Sequence, residues 1–315
     1  MSKKIITVLI VLAIILVSGC TGPNGIFSQK EAGPDRRPFT TGMQGLAISF
    51  DDSAPPKNAL YGDSFPVTLT VKNKGATAIP TNGLKLTFSN PQTFGIIEIT
   101  RLNSEPLEAT QLYQAGTETT IDFGEATFKG LPPATEEPKA IAVDACYPYQ
   151  TRLSAQLCAD NKRKICDPAA PKTYYSSAAP ILVSDYKQIS ARKDPTTGKY
   201  DLTFSFRIKN AGAGKPYKAM SCDSPLSSEN KDTIAITGLS YLYPYETLQC
   251  SSPTTQITLT ADKEGKAVTC AMKGVVVDTE AEGQLRLVLG YAYAELIKTS
   301  INIMPQPLES GQLLQ

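Results

Sequence analysis

The chain has 315 residues, of which 41% are hydrophobic; 31 Lys and Arg stand against 30 Asp and Glu, and histidine and tryptophan do not occur. That is enough apolar material for about two packed domains and excludes a disordered stalk, while balanced charge without a basic run argues against a nucleic-acid partner. Without histidine there is no Ser-His-Asp or Cys-His pair and no imidazole metal site, so the commonest general base is missing.

Residues 1–19 read as an export signal. Lys3 and Lys4 precede an apolar run from Ile5 to Val17, shorter than the roughly 20 residues a bilayer-spanning helix needs. Val17-Ser18-Gly19-Cys20 resembles the lipobox of prokaryotic lipoproteins. The resemblance implies lipid on the Cys20 sulfur, loss of the preceding segment, and a mature protein anchored extracytoplasmically to the outer face of a membrane. Two acyl chains give stable attachment where one gives marginal binding. Residues 20–43 are rich in Gly, Pro and charge without apolar periodicity, which predicts a tether reaching roughly 25–30 Å as a flexible coil.

Beyond the tether the hydrophobic period becomes two. Leu46, Ile48 and Phe50 alternate with other residues, as do Phe65, Val67, Leu69 and Val71, the signature of half-buried strands. Asn73-Lys74-Gly75 follows, residues that tolerate positive φ and end a strand. The pattern returns after a strand predicted within Ile181–Ile189, where Leu202, Phe204, Phe206 and Ile208 alternate and Asn210-Ala211-Gly212 follows. Asn73 thus falls on Asn210 and Gly75 on Gly212. Further on, Lys129-Gly130 matches Lys273-Gly274, Thr135-Glu136 matches Thr279-Glu280, and Tyr147-Pro148-Tyr149 matches Tyr291-Ala292-Tyr293. These echoes are an internal repeat, with a longer loop in the second copy. No window carries a helical stripe, so the expected fold is all-β: two tandem immunoglobulin-like antiparallel β-sandwiches at 44–157 and 174–304, a Cys-containing linker at 158–173 and a polar tail at 305–315.

The strand ends Val71-Lys72-Asn73-Lys74-Gly75 and Ile208-Lys209-Asn210-Ala211-Gly212 resemble the Asn-x-Gly strand of immunoglobulin-like modules related to the CARDB, or cell-adhesion-related, domains of bacterial and archaeal surface proteins. The resemblance covers one hairpin per copy. It implies an extracellular sandwich without enzymatic activity and transfers no catalytic or binding residue.

Besides Cys20 there are Cys146, Cys158, Cys166, Cys222, Cys250 and Cys270. An even number in an exported chain predicts three disulfides; no Cys-x-x-Cys spacing supports a metal, and no cofactor is expected. Three of the six lie at or after the end of the first copy and three inside the second, so complete pairing requires at least one bridge between the sets. Cys158 with Cys166 is the expected local bridge, leaving Cys146 to reach the second copy. Tyr147 and Tyr149, Tyr291 and Tyr293, and Tyr241, Tyr243 and Tyr245 stand two apart. They either fill the gap between sheets or, if Tyr241, Tyr243 and Tyr245 alone are exposed, form a contact surface. The acid pairs Asp51-Asp52 and Glu136-Glu137 sit in turn-like sequence where neighbours point apart. The expected function is non-enzymatic: a lipid-anchored surface protein with a structural, adhesive or envelope-assembly role, its partners the membrane and other surface proteins or polysaccharide. The alternative is an extracellular module that captures polysaccharide or peptide for a transport or secretion system.

Overall fold

The computed structural model describes residues 37–159, 166–223, 226–251, 256–259, 264–277 and 282–307. The signal segment, Cys20, most of the tether and most of the tail lie outside the described residues.

The chain is all-β. Its strands are β1 (Leu46–Phe50), β2 (Asn58–Leu60), β3 (Ser64–Asn73), β4 (Lys85–Phe88), β5 (Thr100–Leu102), β6 (Glu118–Thr127), β7 (Glu137–Cys158) and β8 (Tyr174–Ser176). Then follow β9 (Ile181–Lys193), β10 (Tyr200–Asn210), β11 (Lys215–Tyr217), β12 (Thr233–Tyr241), β13 (Thr247–Cys250), β14 (Gln256–Thr258), β15 (Lys266–Val275) and β16 (Glu282–Met304). A single helical turn, α1 (Pro91–Phe94), breaks the first half. The alternation of Phe65, Val67, Leu69 and Val71 is realised in β3, where all four are buried, and that of Leu202, Phe204, Phe206 and Ile208 in β10. β-Branched and aromatic side chains at every second position cover one face of a pleated strand, so these segments hold their register.

Among the described residues there are three sheets. One runs β1-β3-β6 and another β13-β15-β10-β9; the third has nine strands along β14-β12-β16-β7-β4-β5, with β2 and β11 also on β16 and β8 on β7. Pairing is antiparallel except between β2 and β16. The β1–β3 and β9–β10 pairings begin alike, Leu46 opposite Asn73 and Ile181 opposite Asn210, until a bulge shifts the register of β9 on β10 between Ser205 and Arg207.

β7 and β16 dominate the large sheet. All 22 residues of β7 pair with β16, roughly 70 Å of ribbon at strand rise. Pro148 lies opposite Ala292, Tyr147 opposite Tyr293 and Tyr149 opposite Tyr291. The register places the first part of β7 beside the last part of β16, and the last part of β7 beside the first part of β16. β4 pairs with β7 at Val143–Cys146, whereas β12 pairs with β16 at Leu285–Gly290. Each long strand therefore serves both halves. Buried side chains from Leu46 to Ile303 belong to one continuous core, and the chain from Pro38 onward is one compact unit. The segments 44–157 and 174–304 thus share one core, and β7 and β16 pair over the whole length of β7.

The expected tether is also shorter at its distal end. Thr40 O accepts from Ala178 N–H at 2.7 Å, Gly42 O accepts from Ala179 N–H at 3.4 Å, and Phe39 lies under the Arg152 guanidinium at 5.5 Å. Backbone pairing and a cation–π contact incorporate residues 38–43 into the folded body.

Candidate functional site

The repeated motifs come together at the middle of the ribbon. Odd-numbered residues of β7 point to the core, and so Tyr147, Tyr149, Tyr291 and Tyr293 form a quartet with ring centroids 5.8 to 6.3 Å apart, each ring at most 1% exposed. Every hydroxyl finds a partner. Tyr147 Oη donates to Glu295 Oε1 at 3.4 Å, Tyr149 Oη to Ala178 O at 3.3 Å and Tyr293 Oη to Asn210 Oδ1 at 3.0 Å, while Tyr291 Oη shares a 2.9 Å hydrogen bond with Thr151 Oγ1. Desolvation raises all four phenol pKa values. They stay neutral at physiological pH and act as packing elements with polar tips.

This quartet explains the Asn-x-Gly motifs. Asn73 Oδ1 accepts from Gly75 N–H at 3.1 Å and its Nδ2 donates to Thr77 O; Asn210 Oδ1 accepts from Gly212 N–H at 3.2 Å and its Nδ2 donates to Gly214 O. β3 and β10 end at these asparagines as expected, yet neither glycine has positive φ. Space is the reason for glycine. A Cβ on Gly75 would overlap the Tyr149 hydroxyl, and one on Gly212 the Tyr293 hydroxyl.

The disulfides are Cys146–Cys222, Cys158–Cys166 and Cys250–Cys270. Cys146–Cys222 joins the first set to the second. It holds the segment around Met220 across the face of the large sheet opposite the tyrosines, where a Cβ on Gly290 would meet Met220 Sδ at 2.7 Å. Beside it lies a cavity of about 440 Å³ bordered by Lys85, Asp144, Lys215, Tyr217 and Glu295. Burial pushes the Glu295 carboxyl up to about 7 against the opposing hydrogen bond from Tyr147.

Tyr241, Tyr243 and Tyr245 do not make an exposed stripe. β12 ends at Tyr241, which is 9% exposed and donates to Leu157 O at 3.0 Å; Tyr243 packs edge-on against it and Tyr245 Oη donates to Leu239 O. The rings fold back onto the core. The acid pairs gather no machinery either: Asp51 Oδ1 accepts from Ser53 N–H in a local turn, and Glu137 pairs with Lys139.

Sequence reasoning did not single out a second polar surface. Two cavities flank Phe39. One, of about 560 Å³, lies between Phe39 and the turn Ala109–Gln114 and is floored by Arg152; the other, about 290 Å³, reaches Ser154 and Arg286. Gln111 and Gln114 exchange backbone hydrogen bonds at 2.8 and 3.4 Å, and the turn they close presents Tyr113 at 86% exposure. Thr40 Oγ1 and Arg152 Nε are buried in this surface with no hydrogen-bond partner. The available sign was Tyr113 itself, an aromatic residue in the otherwise mostly polar stretch Gln111-Leu112-Tyr113-Gln114.

Among the described residues no three potential ligands converge as a metal site, and no helix is long and apolar enough to cross a membrane. No protein-family model matches the chain, and no curated protein is similar to it.

Proposed function

We propose that this is a lipid-anchored protein of the outer membrane face, built from two fused immunoglobulin-like sandwiches of CARDB-like kind, with a structural, adhesive or assembly role and no catalysis. In this reading β1-β3-β6 is the outer layer of one sandwich, β13-β15-β10-β9 that of the other, and the nine-stranded sheet is the inner layer of both. The duplication is supported by matching Asn-Gly-Tyr packing in the two halves, and by a register that sets Pro148 opposite its own counterpart Ala292. A two-fold relation produces that arrangement.

The single observation carrying the functional reading is the combination of three disulfides with the unbroken β7–β16 ribbon. Disulfides persist in oxidising, extracytoplasmic compartments. A body cross-linked in this way holds a fixed shape outside the cell, as a scaffold or adhesin requires. The buried tyrosines are suited to packing rather than to proton transfer.

The test is Cys20→Ser in the producing cell. The expected result is transfer of the protein from the membrane fraction to a soluble or unprocessed pool, with a lipidated Cys20 amino terminus on the wild type. Unchanged partition and processing, or an unmodified wild-type terminus elsewhere, refutes the anchoring. Affinity capture of the intact protein from membranes then identifies its neighbours.

A further inference from the structure

The surface around Phe39 has features that neither anchoring nor core packing uses. Its two cavities contain the side chains of Arg152 and Arg286 but no carboxylate among their lining residues. The two arginines stand on adjacent paired strands, Arg152 opposite Val288 and Arg286 opposite Ser154. That makes them diagonal neighbours on one face of the sheet, roughly 7–8 Å apart at the backbone. Arg286 donates only sideways to Gln284 Oε1 at 3.2 Å. Arg152 gives one nitrogen to Ala76 O and lies over Phe39, yet its Nε remains without a partner. Thr40 Oγ1, in the same wall, is equally unsatisfied; these are two of only four such buried atoms among the described residues. Unsatisfied buried polar groups are costly and call for an explanation.

Across the larger cavity stands Tyr113. Its ring is held out by the backbone-closed turn, with the exposed amides of Gln111 and Gln114 on either side. An aromatic platform, amides and hydroxyls, and a pair of guanidiniums without a carboxylate among the described lining residues define a ligand with an apolar ring face, many hydroxyls and negative charge. We infer that this surface binds an acidic polysaccharide, with sugar rings against Tyr113 and Phe39 and uronate carboxylates on Arg152 and Arg286. Guanidinium and carboxylate match as a two-pronged pair, and the C–H face of a pyranose suits an amphipathic aromatic ring. A peptide strand adding to a sheet edge is disfavoured, because β7 and β16 are interior strands of the large sheet and offer no free edge here.

The experiment is calorimetric titration of the full-length protein in detergent with three probes: oligogalacturonate, a neutral maltooligosaccharide and polyglutamate. Oligogalacturonate should bind, more weakly as salt is raised, while the neutral glycan and the acidic peptide should bind at least about 10-fold more weakly. Tyr113→Ala and Arg286→Ala should each weaken oligogalacturonate about 10-fold. Both side chains are exposed, so the melting temperature should not change. Absence of oligogalacturonate binding, undiminished binding by the double variant, or equal binding of polyglutamate or maltooligosaccharide overturns the inference. Anchoring is read separately: Cys20→Ser protein should bind the glycan as the wild type does.

Discussion

Gly75→Ala probes the packing that the repeated Asn-x-Gly motif serves. The added Cβ would overlap Tyr149 Oη and stand 2.8 Å from the Gln44 carbonyl oxygen and 2.9 Å from Tyr149 Cζ. The ring is 1% exposed and touches Tyr147 and Tyr291, so it has little room to retreat. Overpacking of this kind costs about 1–3 kcal/mol. Displacing the hydroxyl also disturbs its bond to Ala178 O and the one it accepts from Thr77 N–H, each worth about 0.5–1.5 kcal/mol. The expected total is about 2–6 kcal/mol, read as a lower urea midpoint at unchanged slope. Tyr149→Phe removes the oxygen that the methyl strikes. The double variant should therefore cost at least about 1 kcal/mol less than the sum of the singles. A Gly75→Ala protein within about 0.5 kcal/mol of wild type, or an additive cycle, refutes the steric account.

Gly212→Ala should behave alike against Tyr293, and a neutral result there would break the equivalence of the two motifs. Cys146→Ala with Cys222→Ala opens a loop spanning 76 positions and should lower stability by about 4 kcal/mol in the chain-entropy account; a loss below about 1 kcal/mol refutes the staple. Glu295 has a folded pKa raised from 4.5 to about 7, so the native state holds its proton more tightly than the unfolded chain. Stability should therefore fall by about 3 kcal/mol as pH rises through that window, and Glu295→Gln should flatten the melting-temperature profile; an unchanged profile refutes the assignment. A chain ended at Thr173 lacks β16, the partner of all of β7, and should be insoluble or associate through β7; a folded monomer on sedimentation refutes the shared-strand reading.

Much of the strand content was legible because it rests on local chemistry. The alternations in β1, β3, β9 and β10 place apolar residues on one face whatever lies beyond, and the Tyr-x-Tyr echoes fall at matching places. Cysteine parity demanded a bridge between the sets, which Cys146–Cys222 supplies. What was hidden is non-local. Nothing in the pattern of β7 says that its odd-numbered residues line a core shared along the whole strand, since a strand with two owners alternates like a strand with one. The end of β3 is legible in Asn-x-Gly, whereas the steric need for Gly75 is not, because Tyr149 is 74 positions away. The surface around Phe39 escaped because its residues come from three distant segments, 38–40, 109–114 and 152, together with Arg286 on the partner strand.

Strand sharing changes what the repeat can do. Two modules joined by a flexible linker sample many relative orientations, and a partner engaging both must supply the free energy to order them. Here the ordering is covalent and hydrogen-bonded before any partner arrives: changing the angle between the halves would require breaking the β7–β16 ladder, the tyrosine quartet packed on it and the Cys146–Cys222 bridge across it. The chain enters this body at Pro38–Gly42, on the Arg152 stretch of the ribbon rather than at a remote loop. Backbone bonds from Thr40 and Gly42 to Ala178 and Ala179 tie that entry segment to the shared sheet. The entry segment, the ribbon and the polar surface around Phe39 therefore form one connected element, and a ligand held by Tyr113, Arg152 and Arg286 would be gripped where the chain enters the fold. A ligand held there would bear on the ribbon itself, as suits a protein whose work is to hold something in place.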